Sequence, residues 1–307
     1  MLGLSSAVGL AAEPASAAKT APKKTVRLLT IGNSFSNDAT TYLDDLATAD
    51  GNLLVHTNAS IGGSPLKLHW DRAQVNERDP ASKDGLYSSG KGLKELLQKE
   101  PHDFVTIQQR SLSSHDVATY RPYAANLQAY VKQYAPQAEL LLHETWAYRV
   151  DDPRFGVANP PAGEPKTQRE MYDGLARAYR TLAAELKVRL IPVGDAFIAA
   201  DTDPQWGYRP DLKFDLKTAR PPALPDQTHS LHVGRTWKKN TAGVQSLGMD
   251  GHHASTAGRY LGACVWYEVL FGVSCLGNKF VPPGIDAEYA RFLQTTAHAT
   301  VAAVAKK

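Results

Sequence analysis

The stretch Thr30-Ile31-Gly32-Asn33-Ser34-Phe35-Ser36-Asn37, "TIGNSFSN", decides how the chain is read. It closes a mostly apolar run that begins at Val26 and has the length of a buried strand. The run stops at Gly32, and two serines follow, bracketing Phe35. Thr40–Thr48 then has a helical pattern, with Asn37 and Asp38 available as caps. A serine just past a strand and before a helix lies where backbone N–H groups point outward. Such a serine is either a helix cap or a nucleophile beside a ready-made anion site.

Four more short apolar runs follow the first: Leu53–Asn58, Asp103–Gln108, Ala138–Glu144 and Val188–Val193. With Thr25–Ile31 they read as five strands buried on both faces. Helical patterns occupy Gly92–Lys99, Tyr120–Tyr134, Thr167–Leu186, Thr256–Phe271 and Asp286–Val304. Ser255 is an expected N-cap and Gly272 an expected stop. Strands alternating with helices predict an α/β fold, a three-layer α/β/α sandwich around a mostly parallel five-stranded sheet. Ligands in such sheets bind beyond the C-terminal strand ends. That places Gly32–Ser36, Ile61–Ser64, Gln108–Ser111 and His143–Trp146 on one rim.

Residues 25–307 read as one domain with insertions near 64–89 and 200–249. Both stretches are too long for plain connections, and they carry His69, Trp70, Trp206 and Tyr208. Residues 1–24 differ. Leu2–Ala12 is apolar and small, and Ala15-Ser16-Ala17 fits an A-x-A cleavage site. This reads as a secretory signal without its charged start, implying a secreted or periplasmic protein, or else as a disordered tail.

The formal charge is +3 over 307 residues, and Lys19, Lys23 and Lys24 against Glu13 place +2 of it in the first 24. No dense basic run follows, so nucleic acid or an anionic membrane surface is not an expected partner. Tyr260–Gly277 is the longest later apolar stretch, but Glu268 and three glycines interrupt it. No membrane span is expected. Cys264 and Cys275 read as buried small apolar residues, with a bond between them possible only if the chain turns at Gly272.

A nucleophilic serine needs a base, and the base an orienting carboxylate. "MDGHHASTAGRY" supplies Asp250, His252 and His253 after the last strand and ahead of a helix. A short loop lets Asp250 hold one ring nitrogen while the other faces the serine. The three blocks together resemble the SGNH/GDSL-type serine hydrolases. "GNSFS" stands where that family has G-D-S-L-S, "NASIGG" resembles its second block, and "DGHH" matches its final D-x-x-H. The resemblance runs in order from Val26 to about Phe271. It implies the flavodoxin-like SGNH fold, Ser34 as nucleophile, His253 as base and Asp250 as its orienter. It also implies an oxyanion hole from the N–H groups of Ser34 and Gly63.

One block departs. The family's third block, G-x-N-D, supplies an asparagine to the oxyanion, whereas this chain has "TIQQRS". A glutamine replaces that asparagine in a branch of the family. Strand alternation puts Gln108 and Gln109 on opposite faces, and Gln108 is the expected donor, with Gln109 as the alternative. Asn33 also replaces the family's usual Asp. Gln109, Trp146 and His252 are expected to line the substrate. His69 and Trp70 fit an entrance, though a surface role suits them better. His143 and Glu144 read as rim-stabilising residues.

The implied activity is hydrolysis of a carboxylic ester through an acyl-enzyme, with an acyl or acetyl group on a carbohydrate as the expected substrate and no cofactor or metal. Trp70, Trp206 and Tyr208 are compatible with sugar stacking. The alternative from another class is a non-catalytic glycan-binding module with Ser34 kept as a cap. A metal-dependent hydrolase built on Asp250, His252, His253 and His229 or His232 is a third reading, disfavoured because no H-E-x-x-H spacing is present.

Overall fold

A computed structural model describes residues 22–306. The signal-like segment Leu2–Ala17 lies outside the described residues. Five parallel strands form one sheet: β1 (Thr25–Gly32), β2 (Leu53–Ser60), β3 (Phe104–Ile107), β4 (Glu139–His143) and β5 (Arg189–Ile191). Their order is β2-β1-β3-β4-β5. β1 is an interior strand covered on both faces: Leu28, Leu29, Thr30 and Ile31 are all fully buried. The order changes direction beside β1, so a crevice opens at its C-terminal end.

Nine α-helices occur among the described residues: α1 (Ser34–Ala39), α2 (Leu43–Ala49), α3 (Leu66–Arg78), α4 (Leu93–Gln98), α5 (Tyr123–Tyr134), α6 (Gln168–Leu186), α7 (Val193–Asp201), α8 (Thr256–Phe271) and α9 (Ala287–Ala305). The helices α3, α4 and α5 pack together, while α8 packs against α1, α2, α7 and α9. The molecule is thus a three-layer α/β/α arrangement. α8 is buried nearly all round, from Ala257 to Phe271, which accounts for its apolar sequence. Ser255 caps it through the Gly258 N–H, and Gly272 ends it in the left-handed region. Cys264 and Cys275 are buried free thiols.

The structure differs from the sequence expectations in four places. The helix expected over Thr40–Thr48 runs over Leu43–Ala49, and a separate short helix precedes it, beginning at Ser34 itself. Asn33 caps this short helix, its Oδ1 accepting the Phe35 N–H at 3.0 Å, and Asn37 and Asp38 lie inside it rather than capping the next one. The stretch 64–89 carries α3, and α7 follows β5 directly. The stretch 200–249 holds most of an antiparallel hairpin, β6 (His232–Lys239) paired with β7 (Gln245–Ala254). That hairpin delivers the Asp250–His253 block to the sheet's C-terminal edge.

Candidate active site

Asn33 shapes the bend after β1. Its Oδ1 accepts from Phe35 N and from Gln108 Nε2 (2.8 Å), while its Nδ2 donates to Ser64 O at 3.0 Å. An aspartate could not make the last bond, so Asn33 ties the bend at Ser34 to the loop after β2. Two more bonds fasten that loop: Ile61 N and Ser64 Oγ both donate to Gly32 O, at 2.9 and 3.1 Å. Gly32 has no room for a side chain, since a Cβ there would collide with Ser36 Oγ and Gln108 Oε1. Gly63 sits in the loop at φ +65°, a conformation that glycine adopts without strain. Neither Ser34 N nor Gly63 N finds a backbone or side-chain acceptor among the described residues.

Ser34, at the first turn of α1, meets the hairpin. Its Oγ lies 2.9 Å from His253 Nε2, although the two residues are 219 apart in sequence. His253 Nδ1 lies 2.9 Å from Asp250 Oδ2. Asp250 is an acceptor only, so Nδ1 carries the proton and Nε2 is left to accept from the serine. Asp250 Oδ1 also accepts the His253 backbone N–H at 3.0 Å and faces His252 Nδ1 at 3.1 Å. Burial acts against its charge, but these bonds and the neighbouring imidazoles hold its carboxyl below the ordinary range. His252 is held below its ordinary pKa, first by desolvation and then by His253 and Arg154, against the pull of Asp250.

The hairpin end is braced from two sides. Trp146 Nε1 donates to His252 O at 2.8 Å, and Arg149 N donates to Gly251 O at 2.8 Å. The Arg149 guanidinium is buried, pairs with Asp151, and donates to Gln227 and Ser230 ahead of the hairpin. On the other side Asp38, on the helix of Ser34, accepts from Ala254 N at 2.9 Å and from Arg259 at 3.0 Å. Desolvation pushes the Asp38 carboxyl above the ordinary range, against those two partners. In the sequence Asp38 reads only as a possible helix cap, and Arg149 draws no attention. Only the fold reveals what each holds.

Several expected site residues are placed elsewhere. Gln108 is buried under the bend, with Oε1 accepting from Ser36 Oγ and from His143 Nδ1 (3.0 Å) and Nε2 engaged on Asn33. It braces the bend rather than presenting its amide to a substrate. Gln109 Nε2 donates to Thr119 O and Oγ1, and its Oε1 accepts from Leu66 N, so it does not line the site either. Trp146 is fully buried between Phe35 and Phe197, with ring centroids 4.4 and 4.5 Å away, and is a packing residue. His252 is about one-third exposed beside His253 and remains available to a ligand.

His69 is fully buried, not on the surface. It bonds Ser64 Oγ (2.8 Å), Gly32 O (3.0 Å) and Tyr87 OH (2.9 Å), and desolvation pushes its pKa down to about 4. Trp70 packs edge-on against Tyr130, Trp206 stacks on Tyr289, and Tyr208 lies under Arg149. All three aromatics are engaged in packing, with Tyr208 buried and Trp70 and Trp206 partly exposed. His143 is buried, with its pKa pushed down to about 3 by desolvation. Glu144 is buried, and desolvation with Asp195 nearby pushes it up to about 8.

A metal could draw on Asp250, His252 and His253, whose donor atoms lie within 4.8 Å of one another. The fourth ligands considered from sequence are engaged otherwise. His229 packs between Trp206 and Tyr289, and His232 Nε2 lies 2.9 Å from Ala147 O. No helix among the described residues is long and apolar enough to cross a membrane.

No curated protein matches the chain. Among solved structures, a DUF4886 family protein from Bacteroides uniformis is similar at 26% identity and a TM-score of 0.67, covering 91% of this chain and 95% of its own. A protein from Slackia heliotrinireducens described as "a putative SGNH hydrolase" is similar at 20% identity and a TM-score of 0.45, over 80% of this chain and 98% of its own. A "putative GDSL-like lipase" from Parabacteroides merdae is similar at 16% identity and 0.44, over 81% and 97%. The family model itself runs from β1 through α7, residues 27–206, and stops short of Asp250 and His253. Because that model takes in more than half of the sequence, the chain belongs to the DUF4886 family, a domain of unknown function.

Proposed function

We propose that this protein is a serine hydrolase that cleaves a carboxylic ester through an acyl-enzyme. One observation carries the reading: the unbroken relay Asp250–His253–Ser34, 2.9 Å at each step, at the C-terminal edge of a parallel sheet. Ser34 Oγ attacks the ester carbonyl while His253 Nε2 takes its proton. Asp250 steadies the imidazolium that forms. The N–H groups of Ser34 and Gly63 receive the negative charge on the carbonyl oxygen. Losing one such donor typically costs about 2.7–4 kcal/mol of transition-state stabilisation. His253 then hands the proton to the departing alcohol. Water, activated by the same imidazole, attacks the acyl-Ser34 ester, and the acid leaves as the proton returns to Ser34.

The substrate assigned here is a small ester. With Trp70, Trp206 and Tyr208 used in packing, acylated carbohydrate has less support than the sequence lent it. The glycan-binding alternative loses the same support. Export of the protein is part of the proposal and rests on Leu2–Ala17 alone.

The experiment is steady-state hydrolysis of 4-nitrophenyl acetate and longer acyl esters by the wild type and by Ser34→Ala. The reading expects the variant to lose turnover by several orders of magnitude with its fold intact by circular dichroism. Equal turnover by the two proteins would falsify it.

A further inference from the structure

Two arginines flank the rim on the side of the base. The ring of His252 lies 4.2 Å from that of His253, and the ring of Tyr148 lies 5.5 Å from that of His252. The guanidinium of Arg154 then sits 5.0 Å over Tyr148. The other end of Tyr148 leads to Arg110, because its hydroxyl lies 2.8 Å from Ser111 Oγ. Arg110 is also placed by topology. Ile31 and Ile107 are register partners on adjacent strands, and Ser34 and Arg110 each follow three residues later, past the strand ends. Both arginines are exposed. Neither forms an ion pair among the described residues. Arg110 makes one side-chain hydrogen bond, from Nε to Ser113 Oγ, and the Arg154 guanidinium makes none among the described residues. The nearby acid, Asp152, is buried and accepts the backbone N–H of Arg154. The charge of Arg154 reaches His252, and those of Arg110 and Arg154 reach Tyr148.

We propose that Arg110 and Arg154, on either side of Tyr148, form a subsite for a carboxylate carried on the alcohol portion of the ester. The inference rests on the ester-hydrolase reading. In that reaction the base returns a proton to the leaving oxygen, so the alcohol lies against His253. Groups beyond His253, past His252 and Tyr148, meet whatever the alcohol carries. A guanidinium without a carboxylate partner offers a planar pair of donors that matches one. The substrate class is therefore an acylated hydroxy acid or an acylated sugar acid.

The test compares two acetates that differ chiefly in charge, 3-(4-acetoxyphenyl)propanoate and 3-(4-acetoxyphenyl)propanamide. Their leaving phenols are nearly equal in basicity, so intrinsic reactivity does not separate them. The proposal expects the charged ester to be preferred in kcat/KM by about tenfold or more at low ionic strength, mostly through KM. Added salt should shrink the preference. Arg110→Gln/Arg154→Gln should bring the ratio close to one, and Arg154→Lys should keep part of it. Should the double variant not fold, Arg154→Gln alone serves, because that side chain makes no bond among the described residues. Equal kcat/KM for the two esters, or a preference that survives loss of the arginines, overturns the proposal. If the neutral ester is hydrolysed through Ser34 without preference, only the subsite falls. If neither ester is hydrolysed, the ester-hydrolase reading falls and the subsite with it.

Discussion

Asp38 Oδ2 accepts the backbone N–H of Ala254 at 2.9 Å, so the helix that begins with Ser34 is tied to the residue after His253. Its other oxygen takes the Arg259 guanidinium, which anchors the same point to α8. Asp38, which touches neither Ser34 Oγ nor His253 Nε2, thus ties together the two elements that carry them. Asp38→Asn keeps the shape but removes the charge that holds Arg259. Unfolding in urea should show a loss of about 1–3 kcal/mol. Turnover should fall by about tenfold or more as the Ser34–His253 contact loosens. An unchanged midpoint together with unchanged kcat would remove Asp38 from this role.

Asp250 fixes the tautomer of His253, and Asp250→Asn tests that directly. The asparagine still accepts the His253 backbone N–H, but its amide cannot serve both ring and backbone as a carboxylate does. A fall in kcat on the order of 10⁴ is expected, with little change in KM. A loss of only a fewfold would mean that His253 finds its orientation elsewhere.

His69 supplies a pH signature. Unfolded, it binds a proton near its ordinary pKa of about 6.5; folded, only near about 4. Between those values the unfolded state holds more protons. The contribution of neutral His69 is thus fully present above about pH 6.5 and is lost as pH falls towards about 4. Urea midpoints of the wild type and His69→Gln, measured across that window, should converge as pH falls, by on the order of 1–3 kcal/mol. A difference that stays constant with pH would show that His69 titrates normally.

The sheet was legible because its strands are buried on both faces and so read as unbroken apolar runs. α8 was legible for a similar reason, with Ser255 and Gly272 marking its ends. The hairpin β6–β7 was not, because its strands are half exposed and carry Arg235, Lys238 and Lys239 among few apolar residues. α3 was hidden by its polar composition, though Leu66, His69 and Ala73 make its buried stripe. Ser34, Asp250, His252 and His253 stand where block order puts them, because the bends that carry them are local. The glutamines could not be placed this way. Alternation says which face a side chain takes, but not that Asn33 and Thr119 wait there as acceptors. His69 likewise reads as a surface residue until Tyr87 is folded over it.

The most direct check on the relay is to treat the protein with a fluorophosphonate and locate the adduct by peptide mass spectrometry. A serine activated by His253 should carry the label at Ser34, and His253→Ala should abolish it while Ser36 and Ser64 stay unmodified. An adduct at another residue, or labelling of Ser34 that persists at full rate without His253, would contradict the account.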